Sequence, residues 1–394
     1  MNRRKFLTAA AATGAATAFT ARSYASILGA NDRVNLGVIG LGRRATAVTG
    51  GFVKDPRVKL AALCDVYGAQ TTQFQKHFAA NLSSPLISVR YQELLSNKDI
   101  DSVFIATPDH LHVQLGSDAL DAGKNVYLEK PTVHDWKSRH RLEKAAAASK
   151  RVLQCGTQQR SGDHYAQAKQ EFFDSGKLGS VVLVRAIWNN FPWQRRDVPP
   201  APKPDDLNWD LFLGPAPKVP YEYVRYTSWR SFPDYGSGVL ADILTHWVDV
   251  AQWMLNDDKP KRASSLGGIY NLHQNRENPD TVSAIVQYDK WNLSFESSVL
   301  SIRDDHPAVL FEGTNGLLNL TRGGYTYTPN EGDPVNFKST QNLEVAHTKN
   351  FLDAVITGSK PSAPLSAGLS ATLPVEMSLK SYWSQKVVSQ ADLD

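Results

Sequence analysis

The feature that most constrains this chain is a short apolar run that ends in a glycine turn. Val34-Asn35-Leu36-Gly37-Val38-Ile39 has the β-branched character of a strand buried on both faces. Gly40-Leu41-Gly42-Arg43-Arg44-Ala45 follows at once, a G-x-G-x-x-A pattern. Gly40 permits a tight turn, and Gly42 lets the backbone approach a pyrophosphate. Ala45 is small enough for the next helix to pack against the strand. The free N–H groups at the start of that helix would face phosphates, with Leu41 in the same turn.

A second strand, Val58 to Leu63, runs into Cys64-Asp65. Asp65 lies 23 residues after Gly42, where an acid binds the ribose 2′-OH of a dinucleotide. A carboxylate there repels a 2′-phosphate and favours NAD. Arg43 and Arg44 act the other way, because either would pair with that phosphate, so NADP stays open. Further strands are expected at 87–91, 102–106, 125–128 and 151–155, with helices at 111–122 and 137–149. Strand–helix alternation of this kind makes a doubly wound parallel sheet. Ligands bind such sheets beyond the carboxyl ends of the strands. Asp65, the stretch Thr107-Pro108-Asp109-His110-Leu111-His112, Glu129-Lys130-Pro131 and Gly156-Thr157-Gln158-Gln159-Arg160 should therefore line one crevice.

The glycine turn, Thr107-Pro108-x-x-x-His112 and Glu129-Lys130-Pro131 together resemble the Gfo/Idh/MocA family (glucose–fructose oxidoreductase, inositol dehydrogenase). The resemblance covers essentially the whole chain after residue 30. It implies an α/β fold in two parts: a Rossmann domain over 31–157, then a C-terminal α/β domain over 158–394 with an open, mainly antiparallel sheet. It also implies a tightly held nicotinamide cofactor and a homo-oligomer built on the open sheet. Thr107, Pro108, His110, His112, Glu129 and Lys130 are expected at the cofactor. The chemistry of Lys130 stands without the family name, because a cation at a strand end beside a nicotinamide stabilises a developing alkoxide.

Beyond Ser180 the pattern changes. A strand at 181–188 leads into an irregular stretch, 189–229, rich in Pro and Trp, of the length seen in lids. Strands are expected at 263–271, 281–288, 293–300 and 308–313, with a hairpin at Gly313-Thr314-Asn315-Gly316. Helices near 345–357 and 367–386 should close the structure. On a helix from Val239 to Leu255, Asp242, His246, Asp249 and Trp253 are spaced 4, 3 and 4 apart and share one face. Asp242 would orient the imidazole of His246, making it a general base. The resemblance agrees: its members carry an Asp-x-x-x-His pair on such a helix, although the usual central Gly is absent here. Gln158 and Arg160 are candidates for binding substrate hydroxyls. Trp188, Phe191, Trp193, Trp229 and Trp247 gather near the substrate region; Trp229 is the aromatic candidate for a sugar face, and the others are expected mainly to pack. His77, His140, His273 and His306 have no evident partner. No His/Cys/Asp cluster has metal-ligand spacing, so no metal is expected.

Cys64 and Cys155 are too few for a disulfide scaffold. Arg3, Arg4, Lys5 and Arg22 lie in the first 25 residues, where there is no acid; outside that stretch 39 basic residues face 39 acidic ones. This neutrality argues against nucleic acid as a partner. Arg3-Arg4-Lys5-Phe6-Leu7, a weakly apolar stretch to Thr20, and Ser23-Tyr24-Ala25 resemble a cleavable twin-arginine signal over 1–30, cut near Ala25 or at Ala30. The expectation is export by the twin-arginine machinery, to the periplasm or beyond, with NAD loaded beforehand. The substrate expected is a small carbohydrate whose hydroxyl exchanges hydride with the cofactor. Two other readings stay open: a redox-neutral NAD-dependent glycoside hydrolase, whose family members typically lack Glu-Lys-Pro at the fifth strand, and a non-catalytic sugar-binding protein.

Overall fold

The computed structural model describes residues 33–189, 199–273, 276–300 and 308–394. The expected signal at 1–30, Phe191, Trp193 and His306 lie outside those residues.

Six strands form a fully parallel sheet: β1 (Val34–Ile39), β2 (Val58–Cys64), β3 (Leu82–Ser88), β4 (Ser102–Ile105), β5 (Asn125–Leu128) and β6 (Leu153–Cys155). Their order, β3-β2-β1-β4-β5-β6, is that of the doubly wound dinucleotide fold. The central strands β4 and β5 are buried at every position, as strands covered by helices on both faces must be. β3 is the edge strand and leaves Ile87 exposed, so its apolar pattern is a poor guide. The strand expected at 87–91 is in fact Leu82–Ser88, and Tyr91 starts a helix, Tyr91–Ser96.

The second sheet holds β7 (Val181–Ile187), β8 (Arg262–Gly268), β9 (Thr281–Gln287), β10 (Asn292–Ser298), β11 (Ala308–Gly313), β12 (Gly316–Thr321), β13 (Gly324–Pro329) and β14 (Val335–Lys338). Their order is β14-β13-β12-β11-β7-β10-β9-β8, and only the β7–β10 pair is parallel. The hairpin at 313–316 joins β11 to β12, pairing Gly313 with Gly316. Strands β8 and β9 alternate buried and exposed positions, so one face packs inward and the other is open. Among the described residues no helix is long and apolar enough to cross a membrane.

The core of the first sheet also takes in a helix from beyond residue 157. The helix Leu343–Thr357 comes from the C-terminal part but lies in the core of the first sheet. Its Phe351 meets Phe52 at 6.0 Å and Tyr127 at 5.8 Å, both edge to face. Gly51 permits this crossing, since a Cβ there would sit 3.0 Å from Thr348 Oγ1 and 3.1 Å from the Glu344 carbonyl oxygen. His347 fastens the same helix to β6, with Nε2 at 2.8 Å from the Cys155 carbonyl and Nδ1 at 2.7 Å from Ser161 Oγ.

Burial lowers the His347 pKa to about 4, so the folded protein keeps the ring neutral. The unfolded chain binds that proton from about pH 6.5 downward, so this residue makes stability fall between about pH 6.5 and 4. His347→Gln is expected to melt lower than wild type at pH 7 and to lose less on acidification over that window. Parallel melting curves at pH 7 and pH 4.5 measure both.

Candidate active site

The glycine turn builds an open cradle. Gly40 adopts φ +82°, and a Cβ there would lie 2.8 Å from the Ala106 carbonyl oxygen, so the turn presses onto the end of β4. Gly42 caps the helix Arg43–Phe52 without a side-chain hydrogen bond, and the first turn carries no acid. The nearest atom to a Cβ at Gly42 is Gln70 Nε2 at 4.0 Å. An uncapped helix start facing open space is a site for an anion such as a pyrophosphate.

At the end of β2, Asp65 Oδ2 accepts from the Leu41 N–H at 2.7 Å, and Oδ1 accepts from the Tyr67 N–H at 2.9 Å. Leu41 thus holds the carboxylate rather than leaving its own N–H to a phosphate. Burial raises the Asp65 pKa to about 6 against those bonds, so the group is mostly ionised at neutral pH. Fixed beside the cradle, it suits a ribose diol. These residues fit a dinucleotide.

Arg44 is not a phosphate ligand in this arrangement. Its Nε meets Glu129 Oε1 at 2.7 Å and its Nη1 meets Glu344 Oε1 at 3.2 Å. Glu129, expected at the cofactor, holds Arg44 in this ion pair. Arg43, next to it, is exposed.

The two histidines expected at the cofactor are clamps. His112 lies between two carbonyls, Pro131 at 2.7 Å from Nδ1 and Thr107 at 3.1 Å from Nε2, and joins the end of β4 to that of β5. Burial keeps its ring neutral, so one of the two contacts carries the proton. His110 meets the Phe212 carbonyl at 3.0 Å among the rings of Phe212 and Tyr235, and burial lowers it to about 4. Beside them, Thr107 Oγ1 is buried without a partner, at the foot of Pro108.

Lys130 and Asp242 meet across the crevice. Lys130 Nζ donates to Asp242 Oδ1 at 2.6 Å and to its carbonyl oxygen at 2.7 Å. Arg230 Nε stands 3.3 Å from the same Oδ1. Against the cost of burial, Arg230 and Lys130 hold the Asp242 carboxyl well below the usual carboxylate range. Asp242 therefore does not orient His246. The expected i,i+4 geometry is altered because Leu240–Leu244 forms a π-turn before the α-helix Thr245–Leu255 begins.

His246 is buried, with no partner at Nδ1, and its ring centroid lies 6.2 Å from that of Trp188. Burial, then the nearby Arg322 and Lys130, pushes its pKa well below 6.5, so the imidazole is neutral at pH 7.

The expected substrate ligands behave variously. Arg160 Nε holds both oxygens of Asp249, at 2.7 and 3.0 Å. Gln158 Nε2 reaches Glu344 at 3.4 Å and leaves its Oε1 unpartnered, while neighbouring Gln159 is buried with neither amide atom satisfied. Trp229 carries the Arg230 guanidinium over its ring at 4.1 Å and lies against Gly236, where a Cβ would come within 2.6 Å.

Sequence reasoning placed Asp109 in the crevice without giving it a role, and missed Arg230, Arg322 and Glu344. Asp109 is 5% exposed, and burial raises its pKa to about 6 despite Arg230 and Lys130. Its place at the end of β4 was the signal that put it in the crevice; the others come from distant segments with no motif. The described part of the irregular stretch, from residue 199 onward, is a strap, not an open loop. Its Asn208 N–H bonds the Val66 carbonyl at 2.8 Å, and Trp209, Phe212, Phe232 and Tyr235 form a small core of their own. Among the described residues no cluster of His, Cys, Asp and Glu could hold a metal.

Comparison with known proteins agrees with this geometry. Residues 34–157 match the NAD-binding Rossmann domain of the Gfo/Idh/MocA oxidoreductases, and residues 174–297 match that family's C-terminal α/β domain. The chain is 26% identical over 257 residues to 1-carboxy-3-chloro-3,4-dihydroxycyclohexa-1,5-diene dehydrogenase of Comamonas testosteroni, covering 65% of this chain and 55% of that protein. It is 25% identical to inositol 2-dehydrogenase of Agrobacterium fabrum, over 57% of this chain and 55% of that one. The chain thus spans about half the length of these two relatives. Levoglucosan dehydrogenase, solved with NADH and levoglucosan, shares the fold with a TM-score of 0.71 at 16% identity, covering 91% of this chain and 99% of that one. On its two domain matches, this chain belongs to the Gfo/Idh/MocA oxidoreductase family.

Proposed function

We propose that this protein is an exported dehydrogenase that exchanges hydride between a sugar hydroxyl and a tightly held NAD. The observation that carries the reading is the Lys130–Asp242 contact at 2.6 Å, which sets a buried ammonium beside the neutral imidazole of His246. A bound nicotinamide supplies the hydride acceptor. Lys130 Nζ has three N–H donors, and Asp242 occupies two of them, leaving one for the sugar oxygen. That bond strengthens as negative charge grows on the oxygen. His246 takes the hydroxyl proton. The carboxylate of Asp65 favours NAD over NADP, and the strap 204–235 over the end of β2 favours slow release of the nucleotide. The segment 1–30 supports export through the twin-arginine route, with loading before transport. The open face of the second sheet exposes Val182, Leu266 and Ile285, a surface suited to a second copy of the chain.

Protein purified from its native host, denatured and assayed by mass spectrometry, should release near-stoichiometric NAD(H). A protein that is empty and fails to bind added NAD would contradict the reading. Asp65→Ala should lower NAD affinity roughly tenfold and shrink the preference over NADP; paired titrations of both nucleotides measure this.

Lys130→Met should lower kcat by about 10²- to 10³-fold. His246→Asn should lower it by roughly 10²- to 10⁴-fold. Because His246 is pushed well below 6.5, the base stays competent on acidification, and the acid limb of kcat/KM should fall below pH 6.5. A pH–rate series on wild type and His246→Asn checks both the position and the origin of that limb.

A further inference from the structure

The other cations of the crevice have carboxylate partners. Arg44 meets Glu129 and Glu344, Lys130 and Arg230 share Asp242, and Arg160 holds Asp249. Arg322 differs. It sits in the turn between β12 and β13, and among the described residues it forms no ion pair. Its Nε is sealed from solvent with no acceptor. The guanidinium lies over the Trp188 ring at 4.6 Å, and that indole packs beside the imidazole of His246. The Tyr165 hydroxyl, close enough to act on Arg322 electrostatically, is also buried without a partner.

The turn that carries Arg322 is pinned before any ligand arrives. The fully buried His164 meets the Thr321 carbonyl through Nε2 at 3.0 Å. Thr321 Oγ1 donates to the Gly324 carbonyl at 3.1 Å and accepts from the Gly323 N–H at 3.2 Å. Arg322 is half-buried; Glu344 and Asp242 act on it from a distance, but both carboxylates already pair with other cations, Arg44 and Lys130. A guanidinium with no carboxylate of its own is costly to seal, and a fork of N–H donors is shaped for a carboxylate.

We propose that Arg322 receives a carboxylate of the substrate, so that the sugar oxidised here is a sugar acid. This rests on the dehydrogenase reading above. One guanidinium balances one negative charge, which suits a carboxylate better than a phosphate monoester carrying roughly −1.5 to −2 at neutral pH. A neutral sugar would leave the half-buried Arg322 without an ion-pair partner, so the same residue selects for acids and against their neutral parents.

The test uses full-length holoprotein in single turnover, reading reduction of the bound nicotinamide. The probes are D-glucuronate, D-galacturonate and D-gluconate, each against its neutral parent sugar, with glucose 6-phosphate as the phosphate arm. At least one acid should exceed its parent in kcat/KM by roughly ten- to hundredfold, the worth of a charged hydrogen bond. Arg322→Met should erase that ratio mainly through KM, and Arg322→Lys should keep part of it. Quenching of tryptophan fluorescence by the preferred acid gives a binding readout that needs no turnover and also reports a folded variant. Preference for neutral sugars or for glucose 6-phosphate would overturn the proposal and leave the dehydrogenase reading intact, as would an acid-to-neutral ratio that Arg322→Met does not change. If no sugar of any kind binds or reduces the nucleotide, both readings fall.

Discussion

The buried contact between Lys130 and Asp242 ties the two sheets into one functional unit. Lys130 leaves the end of β5, while Asp242 sits in the π-turn that opens the helix Thr245–Leu255. Both side chains are nearly sealed, at 8% and 12% exposure, so each charge depends on the other for compensation. Removing one partner from a buried pair costs about 3–5 kcal/mol because the other is left bare. The carbonyl of Asp242 adds a second acceptor, and Arg230 adds a second cation. The ammonium is thus fixed in place, with a donor to spare, before a substrate enters.

The same arrangement recurs around the crevice, always between residues far apart in sequence. Arg44 from the glycine turn meets Glu129 after β5 and Glu344 from the C-terminal helix. Arg160 after β6 meets Asp249 on the helix that carries His246. The helix Leu343–Thr357 completes this frame, crossing the first helix at Gly51 and anchoring His347 under β6. The geometry of the crevice is a product of ion pairs between distant segments in a low-dielectric cleft, where such pairs are strong and their loss is costly.

What was legible in the sequence follows from what is local. The glycine turn, the acid after β2 and the buried runs of β1, β4 and β5 are encoded within a few residues, and the first sheet follows the sequence reading closely. Lys130, Asp242 and His246 were legible as types at strand and helix ends. Their partners were not. The i,i+4 spacing suggested an Asp242–His246 pair, but a π-turn and two distant cations claim the carboxylate instead. His110 and His112 looked like ligands because they follow a strand end; burial against the carbonyls of Phe212, Pro131 and Thr107 makes them clamps. Strands β13 and β14, at the end of an open sheet, carry weak patterns, and Arg322 between β12 and β13 has no local signature. Long-range pairing decided each of these positions, and sequence spacing carries no trace of it.

The most direct test of the account is whether hydride passes within this crevice. Sugar deuterated at the carbinol carbon, turned over by the holoprotein, should place deuterium at C4 of the released nicotinamide, detectable by mass spectrometry and NMR. Its appearance in wild type and its loss in Lys130→Met is the predicted result. Bound nucleotide that never acquires deuterium, while the sugar is nonetheless bound or altered, would contradict the assignment of Lys130, Asp242 and His246 to hydride transfer.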